Sequence, residues 1–285
     1  MNTFTHDRTT SEDGTAIGYR TLGDGPGMVV LHGAMESARS HLELAGALAG
    51  RFTVHLPDRR GRGRSGPYAP GDGLATEAAD LAAVLAATGA RRVMGVSSGA
   101  LICLRAALDL PDIERVVAFE PPLPVDDSAP VGWVPRYERE MAAGRVAAAL
   151  VTAMRATRMA PPLVTALPRP LLERMTSAMM RRGDPAGEDG DVPFADLAPT
   201  LRHDGRIVEE ARELPPRLAG LRTPVLLLGG SRSPAYLRVA LDALEATLPD
   251  QSRRELHGAG HGATGNANRG GRPEEAARVV AEFMA

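Results

Sequence analysis

Ser97 stands in Gly95-Val96-Ser97-Ser98-Gly99, directly after Arg92-Val93-Met94 and directly before Ala100-Leu101-Ile102-Cys103-Leu104. A short apolar run leads in and a helical pattern leads out. That context suits a tight strand-to-helix turn that pushes a serine hydroxyl out at the edge of a sheet. The glycines matter because side chains two residues before and after the serine would collide as strand and helix close up. The hydroxyl would then stand near a helix N-terminus, where free N–H groups and the helix dipole favour negative charge. Such a serine is a nucleophile only if the chain also supplies a histidine, a carboxylate and a second N–H donor for an oxyanion. The Ser98 N–H would be the first donor.

The histidine is read at His261, in Leu256-His257-Gly258-Ala259-Gly260-His261-Gly262, just past the last predicted strand. Glycine on both sides keeps its backbone free and its ring accessible. His257 is the nearest competitor, but it lies closer to the strand. His32 and His55 belong to early strands, and His6, His41 and His203 fall in surface or insertion contexts. The expected role of His261 is general base toward Ser97, then general acid toward the leaving group. The second oxyanion donor is expected in the loop after Met28-Val29-Val30-Leu31, at the N–H of Ala34, with Met35 as the alternative.

The usual place for the carboxylate is the loop after strand 224–228, but Gly229-Gly230-Ser231-Arg232-Ser233-Pro234 carries no acid. Asp242 falls two turns into a helix and should point away. Val116-Val117-Ala118-Phe119, in contrast, ends in Glu120, followed by Pro121-Pro122. A carboxylate there would reach His261, and the prolines would stiffen the exit. The competing reading of Glu120 is a loop cap or an arginine partner.

Elements must hold these residues. Strands are read at 4–10, 15–22, 28–31, 52–56, 92–96, 114–119, 224–228 and 253–256, with helices at 37–49, 74–88, 98–109, 234–248 and 273–284. Buried strands alternating with helices indicate a parallel sheet covered on both faces. From about 124 to 215 the pattern turns helical. Residues 137–159 read as one helix, and 170–182 as another with a stripe of Leu171, Leu172, Met175 and Met179. Gly183 to Asp191 reads as a mobile Gly-rich loop. Six of the eleven methionines lie in this region, which suits an adaptable apolar wall over a binding site. Met35, Trp133 and Met154 are the expected substrate contacts.

The chain has 285 residues, 44% of them hydrophobic, with a formal net charge of −2. That balance gives no reason to expect nucleic acid or an anionic membrane as partner. Gly61-Arg62-Gly63-Arg64-Ser65-Gly66 mimics a dinucleotide fingerprint, but Pro67 and Pro70 follow, so it cannot open a helix and nucleotide binding is rejected. One cysteine excludes an intramolecular disulfide. Residues 1–10 show no apolar signal segment and no run approaches a membrane span, so the expectation is a cytoplasmic protein. No metal or cofactor is expected. The oligomeric state is left open.

Three stretches in order, His32-Gly33, Asp58-Arg59-Arg60-Gly61-Arg62-Gly63-Arg64-Ser65-Gly66 and the turn at Ser97, with His261 near the C-terminus, resemble the α/β-hydrolase superfamily. The resemblance spans residues 15–123 and 216–285. It implies an α/β-hydrolase fold: an eight-stranded, mostly parallel sheet with helices on both faces and an inserted helical cap. The core would be 1–123 and 216–285, the cap 124–215. It also implies that the acid can follow the sixth strand, as Glu120 does. The expected activity is cofactor-free serine hydrolysis of an ester or related acyl bond in a small, fairly apolar molecule. The alternatives are an eliminating lyase or cyclase using the same triad, and a non-catalytic binding protein on this fold.

Overall fold

A computed structural model describes residues 3–126, 128–160, 162–182 and 192–285. The chain runs β1 (Thr5–Thr10), β2 (Ala16–Leu22), β3 (Gly27–Leu31), α1 (Leu42–Leu48), β4 (Thr53–Pro57), α2 (Leu74–Thr88), β5 (Arg92–Val96), α3 (Ser98–Asp109) and β6 (Arg115–Phe119). Among the described residues, the α-helices that follow are α4 (Val134–Ala142), α5 (Val146–Thr157), α6 (Pro162–Thr165), α7 (Arg169–Arg182), α8 (Phe194–Leu197), α9 (Leu201–Glu210) and α10 (Leu214–Leu218). The sheet resumes with β7 (Val225–Gly230), α11 (Ala235–Thr247), β8 (Gln251–Leu256) and α12 (Pro273–Met284).

The eight strands form one sheet in the order β1-β2-β4-β3-β5-β6-β7-β8. Only β2 runs against its neighbours; every pairing from β4 to β8 is parallel. Parallel strands need crossovers, and the crossover helices cover both faces, which is why the strands read as continuous apolar runs. Alternate residues serve opposite cores. Val116 and Ala118 of β6 pack with α2, α3, α10 and α11, whereas Val117 and Phe119 pack with α1 and α12. Cys103 of α3 is fully buried in the first of these cores.

The helices between β6 and β7 carry a smaller cluster of their own, with Trp133, Tyr137, Leu150, Ala153 and Leu201 at its centre and Met35 packed against it. Two readings of this region need correction. Residues 137–159 are not one helix: the chain breaks at Gly144, whose φ of 69° is left-handed, between α4 and α5. The stripe on α7 is not a buried face: Leu172 is buried, but Leu171, Met175 and Met179 are exposed, Met179 at the cavity. Helices α8 and α10 are too short, at four and five residues, to show a period, and α10 carries Pro215 and Pro216; α9 has ten residues, but its buried positions include Asp204 and Gly205. The 183–191 loop lies outside the described residues. Among the described residues, no helix is long and apolar enough to cross a membrane.

Candidate active site

The turn at Ser97 forms because two glycines allow it. A Cβ on Gly95 would lie 2.3 Å from the Gly99 carbonyl oxygen, and one on Gly99 would lie 2.6 Å from the Leu31 and His32 carbonyls. Strand β5, helix α3 and the end of β3 therefore meet without side chains between them. Ser97 takes φ 55° and ψ −123°, between the last residue of β5 and the first of α3. Its N–H is anchored on the Phe119 carbonyl at 2.8 Å. Ser98 opens α3, so its N–H has no intrahelical acceptor. Across the cavity, Ala34 and Met35 follow His32-Gly33, and no described residue accepts a hydrogen bond from the Ala34 N–H.

Glu120 is buried at the tip of β6, with φ 46°. Its Oε2 lies 2.6 Å from His261 Nδ1, and its Oε1 accepts the Gly230 N–H at 2.6 Å. The acid-free end of β7 thus still serves the carboxylate, through the Gly230 backbone donor. It also leaves room: a Cβ on Gly229 would lie 3.2 Å from Glu120 Oε1. Asp242 pairs with Arg253 on the surface instead. With Nδ1 facing a carboxylate, the His261 proton is assigned to Nδ1 and Nε2 is left to act on a neighbour. Ser97 and His261 line the same cavity without a direct hydrogen bond between them.

That cavity has a volume of about 420 Å³. Ala34, Met35, Trp133 and Met154 line it, as do Met159 and Met179. The sequence-derived residues are therefore brought to one place. His257 stays outside it.

Several charged residues escaped sequence reasoning. Arg59 is buried and reaches Glu77 with two parallel bonds of 2.5 and 2.7 Å. Its Nη1 also donates to Ser98 Oγ at 3.0 Å and to Asp204 Oδ1 at 2.9 Å. Arg62 binds Asp204 Oδ2, and Ser98 Oγ donates to Oδ1 at 2.8 Å. Asp204 belongs to α9 and lines the cavity, so a buried carboxylate ties the inserted helices to the β4 loop and to the start of α3. Burial would raise its pKa, but Arg62 and Arg59 outweigh this and hold it below the usual range. His32 is buried and neutral. Burial, reinforced by Arg62 and Arg59, lowers its pKa, and its Nε2 accepts the Arg59 N–H at 3.1 Å.

Glu36 and His41 form a second pair beside the Gly33 turn. Glu36 Oε2 accepts the Gly33 N–H at 2.7 Å and faces His41 Nε2 at 3.2 Å. His41 is not a surface residue, as its polar surroundings in the chain suggested; it is fully buried, with Nδ1 on the Thr264 carbonyl at 2.9 Å. Burial alone would raise Glu36 and lower His41, but their mutual attraction reverses both, leaving Glu36 at about 2 and His41 above its usual value. An acid three positions after the His-Gly turn was the available signal.

The chain belongs to the alpha/beta hydrolase family, whose model matches residues 28–279. It is similar to a solved alpha/beta hydrolase from Sphaerobacter thermophilus, at 32% identity, covering 98% of this chain and 100% of that chain, with a TM-score of 0.78. A thermophilic esterase from Thermogutta terrifontis shares the fold at 18% identity, covering 98% of each chain, with a TM-score of 0.72. Among curated proteins, the magnesium-chelatase 30 kDa subunit of Rhodobacter capsulatus is 31% identical over 248 residues, 84% of this chain and 81% of that protein.

Proposed function

We propose that this protein is a cofactor-free serine hydrolase that cleaves an ester or related acyl bond in a small, fairly apolar molecule. The observation that carries the reading is the buried Glu120–His261 pair at 2.6 Å, which shares one apolar-walled cavity with a serine held at φ 55°. Ser97 Oγ attacks the carbonyl carbon while His261 Nε2 takes its proton. Glu120 holds the ring in the needed tautomer and stabilises the imidazolium. The N–H groups of Ala34 and Ser98 receive the oxyanion. His261 then protonates the leaving group, and water repeats the sequence on the acyl-enzyme. The Ser97–His261 contact closes as substrate enters, since such bonds are often long without it. Residues 124–215 act as the cap.

The test is active-site labelling with a fluorophosphonate, joined to turnover of p-nitrophenyl esters. A hydrolase gives a Ser97 adduct and releases p-nitrophenol. Neither adduct nor turnover in folded protein would overturn the reading and leave elimination chemistry as the use of the same residues.

A further inference from the structure

Glu36 lines the cavity with Ser97 and His261, and a quarter of its side-chain surface is open. Its Oε2 is committed to Gly33 N–H and His41, which fixes the carboxylate in place. Its Oε1 accepts no hydrogen bond from any described residue. The other carboxylate on the wall, Asp204, has both oxygens occupied, by Arg59 and Ser98 on one and Arg62 on the other. No arginine lines the cavity among the described residues. The nucleophile is close: Glu36 and Ser97 both crowd Gly33, where a Cβ would lie 3.2 Å from Glu36 Oε2 and 3.0 Å from Ser97 Cβ.

An apolar substrate filling this cavity expels the water that solvates Oε1. A buried anionic acceptor with no donor is costly, whereas a substrate that carries its own cationic N–H removes the cost and forms a charge-assisted bond. An anionic substrate meets repulsion at the same point. We propose that Glu36 is a specificity-determining residue, whose Oε1 accepts a hydrogen bond from a protonated amine on the substrate, close to the bond that is cleaved. The position of the amine relative to that bond rests on the acyl-transfer reading; the amine subsite itself does not.

The probes are matched thioesters differing by one atom: S-[2-(dimethylamino)ethyl] thiobutyrate, protonated at neutral pH, and its carbon isostere S-(3-methylbutyl) thiobutyrate. A second pair places the same groups on the acyl chain. In one pair the wild type should favour the amine by about tenfold or more in kcat/KM, and Glu36→Gln should bring that ratio near one. Equal rates for both pairs in the wild type, or an unchanged ratio in Glu36→Gln, would overturn the proposal. Titration calorimetry of the same pairs into Ser97→Ala protein reads the subsite without chemistry. A binding preference for the amine that is lost in Ser97→Ala/Glu36→Gln upholds the subsite even if the thioesters are never cleaved, and equal affinities reject it. If Glu36→Gln does not fold, Glu36→Asp, which retracts the carboxylate, should lose the preference, and its retention would also count against the proposal.

Discussion

Three non-glycine residues around the cavity hold left-handed backbone: Met35 at φ 57°, Ser97 at 55° and Glu120 at 46°. Such conformations cost about 1–3 kcal/mol each and persist where the surroundings force them. They coincide with the proposed nucleophile, its acid and the loop that supplies an oxyanion donor. Ser97→Ala should abolish fluorophosphonate labelling and lower kcat by several powers of ten, on the scale of triad knockouts. Glu120→Gln should keep the fold and lower kcat by about 10⁴, because the amide stabilises the wrong tautomer. Steady-state kinetics on protein with an unchanged melting curve checks both. The Glu36–His41 pair gives a pH prediction. Glu36 drops from its ordinary 4.5 to about 2, so its contribution is full above 4.5 and is lost as pH falls through about 2. His41 rises above 6.5, so its contribution is full below 6.5 and is lost as pH rises through the elevated value. The pair is strongest between these limits, and His41→Gln should flatten the alkaline limb of Tm against pH. Ser97, His261 and Glu120 were legible because each ends or follows a strand with its own local signature. Glu36, His41 and Asp204 were not, because a polar residue in a loop or helix carries no sign of the partner that buries it.

Elements explain why the sheet was easier to read than the insertion. Strands buried on both faces are unbroken apolar runs, and α2 ends on a glycine signal, Gly89 with φ 67°. Helix α9 offers no such pattern: Leu201 and Ile207 face the interior, but so does Asp204. Its purpose emerges only when Arg59 and Arg62 arrive from the loop after β4. Asp204→Asn should leave two arginines under-compensated in the interior and destabilise the protein by about 3–5 kcal/mol, measurable by urea unfolding. Because Ser98 Oγ is bonded to the same carboxylate, the substitution should also lower kcat. Intact kcat with lowered stability would mean that α9 braces the fold without touching the start of α3.

At the scale of the whole molecule, the sheet brings β3, β5, β6 and β8 to one edge, and the inserted helices close the space above it. On the proposed function, the apolar wall of that space is the part that would limit substrate size. Leu150→Phe, which fills part of the roughly 420 Å³ cavity, should shift the preferred p-nitrophenyl ester to a shorter acyl chain, read from kcat/KM across a chain-length series. The chain also carries its own timer. Cys103 is the one cysteine in the sequence, it lies fully buried on α3 in the core, and burial pushes its thiol far above the usual range. A thiol reagent can therefore reach it only when the central core opens, whereas Ser97 lines the cavity, so on the proposed reading a fluorophosphonate should label it with that core closed. The two labelling rates, taken on the same sample, should separate access to the cavity from opening of the core.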